Sequence, residues 1–284
     1  MIKISNFGDI TRFDFSRSIA GRGIYWTTAY LVDGLMVDTG CAHTSHELLA
    51  LISGTKLDQI INTHSHEDHI GANACLHEIN PELQLFAHPL ALPVLEKPEA
   101  YQPLQAYRRF VWGIPSPSKA QPLINGGFIE TDKYHFLVIY TPGHTLDHLC
   151  LYEPDQEWVF TGDLYVGGKD RAVRAGSDIW QTIESLKLIS ELPLKGMYPN
   201  SARVRLDPVK DLQTKIGYLE MLGDRVLNLA DQGYSIGEIS RTLFGGPLWI
   251  ELITWGHLSR RNLVRSYLDL QPVSQLCCRS HHGP

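Results

Sequence analysis

Residues 61–71 read INTHSHEDHIG, so three histidines and two acids (His64, His66, Glu67, Asp68 and His69) fall within one short stretch directly after an apolar run. Neutral imidazole and carboxylate are ligands for first-row divalent metals, and crowding them together brings a soluble core no gain. Two imidazoles two residues apart at a strand end can reach one ion, while Asp68 and His69, next along the turn, can face a second. Two later stretches end on the same residue types: YTPGHT delivers His144 and VFTGD delivers Asp163. Arriving from other strands, these two would complete both coordination spheres. An ion held this way lowers the pKa of bound water from about 15.7 toward about 7, which supplies hydroxide at neutral pH. Asp68 or Asp163 would orient it.

Strand ends must converge for this to work. KLDQIIN is an apolar strand with the histidine cluster at its C-terminal end, and GIYWTTAYLVDGLMVDTG predicts strands at about 24–32 and 35–38, turned at Asp33-Gly34. THSHELLALISG predicts a helix capped by Thr44 or Ser45 and stopped by Gly54. HIGANACLHEIN has helical spacing until Pro81, LQLFAHP is a short strand, 89–112 is helical with proline interruptions, and IPSPSKAQPLINGG is a loop. YHFLVIYTPGHT is a strand ending in a histidine, and DHLCLYEPDQEWVFTGD is a hairpin ending in an aspartate. Every candidate ligand therefore sits where a rigid scaffold displays chemistry. From Asp207 consecutive helices follow, in DPVKDLQTKIGYLEMLGDRVLNLADQG, SIGEISRTLFG and SRRNLVRSYLDL, with Ser259 as a cap. The organisation expected is a catalytic domain over 1–206, a helical unit over 207–271 and a loose tail over 272–284.

THSHEDH, TPGHT and TGD, in this order and at these intervals, resemble the metallo-β-lactamase fold superfamily, in particular its metallo-hydrolases of the glyoxalase II-like kind; VDTG at 37–40 matches that family's early acidic turn. The resemblance spans about residues 20 to 205. It implies an α/β fold, a four-layer αββα sandwich of two mixed sheets with helices outside; the consecutive helices from Asp207 add a C-terminal helical appendage, for which a winged-helix-like form is one expectation. It also implies a first metal site of His64, His66 and His144, a second containing Asp68 and His69, and Asp163 bridging. The family's late histidine, in a Pro-Gly-His context, has no counterpart: this chain reads Pro199-Asn200-Ser201. A hydroxyl or amide oxygen is a poorer zinc ligand than imidazole, so the second ion is expected to bind weakly, use water or be absent, with Ser201 or His257 as substitutes.

Asp38 is read as an acid that holds the metal loop without ligating, Glu67 as a solvated side chain, and His148 as a strand-face histidine. His43, His46, His77, His88 and His135 are read as surface or satisfied histidines. Tyr165 is read as packed or as an oxyanion donor, and Arg203 and Arg205 as an exposed charged strand or as contacts for an anionic substrate.

The preferred reading is a zinc-dependent hydrolase with one or two ions, iron or manganese being tolerated, and Asp68 and Asp163 as catalytic carboxylates. Its substrate would be a small ester, thioester, lactone or phosphoester, an anionic one where Arg203 and Arg205 contact it. The alternatives are a nuclease-like metallohydrolase, a mononuclear iron oxygenase, and a binding or regulatory protein that keeps the pocket without turnover. A formal charge of -6 over 284 residues argues against nucleic acid as partner, although Arg260, Arg261 and Arg265 could meet phosphates. No apolar run suits a membrane span or a signal peptide, so a cytoplasmic protein with no membrane partner is expected. That address disfavours a β-lactam as substrate. Five cysteines (Cys41, Cys75, Cys150, Cys277 and Cys278), without framework spacing, are expected to be reduced. Oligomeric state is left open, a homodimer included.

Overall fold

The computed structural model describes residues 1–269. The tail expected over 272–284, with Cys277 and Cys278, lies outside the described residues. Cys41, Cys75 and Cys150 are free thiols. The described residues form two compact units: Met1–Tyr140, Leu146–Val166 and Pro193–Pro208 make the first, and Thr141–Thr145, Gly167–Leu192 and residues 209–269 make the second.

The first unit contains two sheets. The larger lines up β1 (Ile2–Phe7), β2 (Ile10–Phe15), β3 (Thr27–Val32), β4 (Leu35–Val37), β5 (Gln59–Asn62), β6 (Gln84–Ala87) and β7 (Gln121–Pro122) in that order. Pairing is antiparallel as far as β4 and parallel from there on. The second sheet holds β8 (Phe128–Glu130), β9 (His135–Tyr140), β10 (Leu149–Glu153), β11 (Trp158–Gly162) and β12 (Gly196–Pro199). Only its last pair is parallel. Asp33 and Gly34, with φ of 47° and 82°, turn β3 into β4 in the doubly left-handed conformation that suits the twist of a hairpin.

Side chains alternate across a strand, and that alternation builds two cores. In β5, Ile60 joins Leu48 and Ile52 of α1 (Ser45–Ile52), Leu76 of α2 (Asn73–Ile79) and Trp112 of α3 (Ala106–Trp112). Its neighbour Ile61 packs with Phe136, Leu149 and Phe160 of the second sheet. Strand β3 repeats the division, with Ala29 and Leu31 toward the helices and Tyr30 and Val32 between the sheets. All six of its residues are buried, as a strand covered on both faces requires. The unit is thus a helix layer, a sheet and a second sheet.

The second unit is largely helical: α4 (Ile179–Ser190), α5 (Pro208–Asp231), α6 (Ile236–Phe244), α7 (Trp249–Ile253) and α8 (Arg260–Asp269). Helix α6 starts on a reciprocal cap, Ser235 accepting from the Glu238 N–H while the Glu238 carboxylate accepts from the Ser235 N–H. Ser259 caps α8 by accepting from the Asn262 N–H at 3.1 Å. Tyr267 then ties three helices together, donating to the Leu219 carbonyl at 2.7 Å and meeting the Trp180 ring edge-on. No helix among the described residues is long and apolar enough to cross a membrane.

Candidate metal centre

Asp38 follows directly on β4 with a left-handed φ of 61° and a fully buried carboxylate. Four donors hold it. Its Oδ1 accepts from the Thr63 N–H, and its Oδ2 accepts from Thr63 Oγ1, His69 Nδ1 and Asn200 Nδ2, each at 2.7 Å. These bonds dictate imidazole tautomers. His69 carries a proton on Nδ1 and turns Nε2 the other way. Thr63 gives its hydroxyl proton to Asp38, so it accepts from His64 Nδ1 at 3.0 Å and leaves a lone pair on His64 Nε2.

The atoms so presented converge. One nitrogen from each of His64 and His69 and one oxygen of Asp163 lie within 4.8 Å of one another. His64 Nε2 stands 2.8 Å from His66 Nδ1, and His69 Nε2 stands 3.5 Å from an Asp163 oxygen and 3.9 Å from an Asp68 oxygen. Burial by itself pushes the His69 imidazolium toward deprotonation, yet Asp38, Asp163 and Asp68 outweigh it and hold the pKa well above the ordinary histidine range. The carboxylates therefore call for positive charge beside His69 Nε2, an atom with no hydrogen-bond partner among the described residues. A divalent ion answers that demand, and the imidazole and carboxylate donors suit one.

Asp163 is aimed by its neighbours. Its N–H donates to His148 Nε2 at 3.2 Å, and its Oδ1 accepts from Ser201 Oγ at 2.7 Å. His148 is fully buried, 5.3 Å ring to ring from His64, so it positions the site and is not a mere strand-face residue. Gly162, at φ 49°, permits this: a Cβ there would lie 2.6 Å from His148 Nε2 and 2.8 Å from Thr63 Oγ1. Gly162→Ala is expected to cost about 1–3 kcal/mol of stability through overpacking and backbone strain. Metal content should fall with it, read by thermal unfolding and elemental analysis of the same sample.

His144 comes from the Thr141–Thr145 segment of the second unit. A Cβ on the preceding Gly143, at φ 138°, would fall 2.4 Å from the Thr182 nitrogen, so glycine lets this turn press on the start of α4. The Asp178 N–H donates to the Gly143 carbonyl and Ser177 Oγ to the His144 carbonyl. His257 also belongs to the second unit, where its carbonyl accepts from the Ala175 N–H and from Asn262 Nδ2. Tyr165 is buried, with the Arg205 guanidinium 5.9 Å from its ring centre, and Arg203 is exposed.

Glu67 differs from its sequence reading. It is wholly buried and accepts two guanidinium bonds from Arg108 of α3, one of them from Nε at 2.7 Å. Arg108 Nη2 also reaches Gln102 Oε1, and Gln102 Nε2 donates to the Ser65 carbonyl. With the Ser65 N–H held by Asp147, the metal loop is gripped from two sides. No local pattern marks Arg108 as the partner, since 41 residues separate the pair.

Two facing mixed sheets with a buried histidine and aspartate pocket at their strand ends define a metal-binding α/β class. The chain belongs to the metallo-beta-lactamase superfamily, whose profile matches residues 27–199, more than half its length. It is 29% identical over 138 residues to a hydroxyacylglutathione hydrolase of Legionella pneumophila, covering 48% of this chain and 44% of that one. It is 25% identical over 186 residues to an atrochrysone carboxyl ACP thioesterase of Aspergillus fumigatus, covering 64% and 50%. The chain thus spans about half the length of these relatives or less. Among solved structures, a metallo-beta-lactamase family protein from Thermus thermophilus superposes with a TM-score of 0.66 at 18% identity, covering 90% of each chain. The protein TTHA1623, solved in a di-iron-bound form, gives 0.53 at 30% identity, covering 69% of this chain and 96% of that one. Membership and the hydrolase-named relatives support a metal-dependent hydrolase in general terms.

Proposed function

We propose that this protein hydrolyses a small, anionic thioester or ester, with lactones and phosphoesters in the same chemical reach, and that zinc is its working metal. The observation that carries the reading is the Asp38 hub, which fixes His69 directly, with Nε2 turned toward Asp163, and His64 through Thr63, with a nitrogen of each in the group that Asp163 completes. Enforced tautomers of this kind suit imidazoles that ligate a metal, which the proposed hydrolysis requires. His64, His66 and His144 would hold a first ion, and Asp68, His69 and Asp163 a second. When bound, the metal supplies the positive charge that acidifies water and polarises the scissile carbonyl. Asp68 and Asp163 orient the attacking water and take its proton on a carboxylate oxygen. His148 and Ser201 keep Asp163 aimed during that transfer. The thioesterase and hydroxyacylglutathione hydrolase names among relatives support the thioester, and the di-iron-bound neighbour makes iron the second metal to test.

The test is turnover of acyl thioesters, esters, lactones and phosphoesters by protein stripped with a chelator and reloaded with zinc, iron or manganese. Activity on a thioester, lost on stripping and restored by zinc, is expected. Oxygen consumption with iron and no hydrolysis with any metal would refute the proposal. A second experiment addresses Ser201, whose hydroxyl sits 2.7 Å from Asp163 where an imidazole would add a ligand. Ser201→His is expected to raise bound metal by up to about one ion per chain, imidazole being the stronger zinc ligand. Unchanged stoichiometry by elemental analysis would show that position 201 does not face the second ion.

A further inference from the structure

A cavity of about 390 Å³ opens within the second unit, between α6, α7 and α8, and the metal chemistry makes no use of it. Arg241 of α6 and Arg261 and Arg265 of α8 line it. The last two are four residues apart and so share one face of their helix. Glycine at 237 leaves room for one of them: Arg261 Nη2 is the nearest atom to a Cβ built there, at 3.7 Å. The cavity's one carboxylate is already engaged, because Glu251 accepts from the Arg260 N–H at 3.1 Å and faces the Arg260 guanidinium at 3.9 Å. Among the described residues, the guanidiniums of Arg241, Arg261 and Arg265 make no ion pair or hydrogen bond, Arg241 having only the Glu238 carboxylate, already bonded to Ser235, as a longer-range electrostatic neighbour. Three guanidiniums in a concave wall, on a chain with a formal charge of -6, form a local field that solubility does not explain.

We propose that this cavity binds a small diphosphate ester, of the size and charge of a nucleoside diphosphate. The planar fork of arginine matches phosphoryl oxygens. A diphosphate ester carries one negative charge on its inner phosphoryl group and close to two on its terminal one at neutral pH, so three guanidiniums match it. Volume agrees, since small-molecule sites run from roughly 300 to 1,000 Å³. Trp249 and Trp255 do not line the cavity, but they are 74% and 93% exposed on the helix and turn that give it Glu251, Leu252 and Gly256, so a nucleoside reaching past its rim has aromatic faces to stack on. A nucleic-acid strand would instead call for a groove that tracks several phosphates. The cavity lies wholly within the second unit, so the proposal does not depend on the hydrolase reading.

The test is calorimetric titration of the full chain with ADP, with inorganic pyrophosphate and with a short single-stranded RNA, each with and without a chelator. ADP is expected to bind more tightly than pyrophosphate, with or without the chelator, and to quench tryptophan fluorescence. Arg241→Gln, Arg261→Gln and Arg265→Gln are each expected to weaken ADP about tenfold, as loss of a charge-assisted contact does, without shifting thermal unfolding. Three results would overturn the proposal: wild-type protein that ignores ADP, variants that bind it unchanged, or binding abolished by the chelator, which would put ADP at the metal centre. RNA bound where ADP is not would assign the arginines to nucleic acid instead.

Discussion

Arg108→Met is expected to destabilise the protein by about 3–5 kcal/mol, the cost of leaving one charge of a buried pair without its partner. Glu67 has no exposed surface, and the Arg108 side chain is only 5% exposed, so water cannot replace the lost guanidinium. The carboxylate would protonate or drag its loop toward solvent. Either response disturbs the metal centre, because Glu67 is flanked by His66 and Asp68 and the same guanidinium holds Gln102 against the Ser65 carbonyl. The double replacement Glu67→Met with Arg108→Met separates the two effects. Stability should return to near the wild-type value, since apolar side chains of similar volume avoid the desolvation cost. Metal affinity should remain depressed, because the loop has lost its anchor. Chemical denaturation reads the first quantity and elemental analysis under limiting metal reads the second. If Arg108→Met unfolds with the wild-type midpoint and slope, the pair carries no stability.

What the sequence made legible follows from range. The Asp33-Gly34 turn, the Gly54 stop after α1, the Ser259 cap of α8 and the strand ends that carry His64 and Asp163 are specified by residues within a few positions of one another. Local rules reach them, as they reach the two facing sheets once ordered motifs fix the fold. The hairpin of β1 and β2 passed unread, because IKISNF and ITRFDF mix polar residues on both faces and β1 has only half-buried and exposed positions. Glu67 was misread for a different reason. An acid between two ligands in a polar heptapeptide looks solvated until the chain brings Arg108 over it. His148 failed the same way: its role depends on Gly162 and the Asp163 N–H, fourteen and fifteen residues on. Asn200 seemed a departure from the family pattern. In the fold its Nδ2 bridges the Thr28 carbonyl and Asp38 Oδ2, so the residue that follows Pro199 supports the hub.

Asp38→Asn isolates what that hub contributes. Asparagine tolerates the left-handed backbone at φ 61° at least as well as aspartate and occupies nearly the same volume, so any loss comes from the carboxylate charge and the second acceptor oxygen. All four partners of Asp38 are donors: the Thr63 N–H and Oγ1, His69 Nδ1 and Asn200 Nδ2. An amide nitrogen placed toward any of them sets donor against donor. If its oxygen keeps the place of Oδ2, the Thr63 N–H is left facing an NH2 group. A flipped amide costs three partners instead of one. The first orientation wins, and stability should fall by about 1–3 kcal/mol for the orphaned buried donor. Metal affinity should fall about 10- to 100-fold, because removing the charge weakens the hold on the Nδ1 tautomer of His69 and lowers its basicity at Nε2. Turnover measured with saturating metal should recover most of the deficit if tautomer control acts through metal binding alone. A deficit that persists at full metal occupancy would mean that the orientation of His64 and His69 also matters in the chemical step. Wild-type metal affinity in Asp38→Asn would remove Asp38 from the explanation of the site altogether.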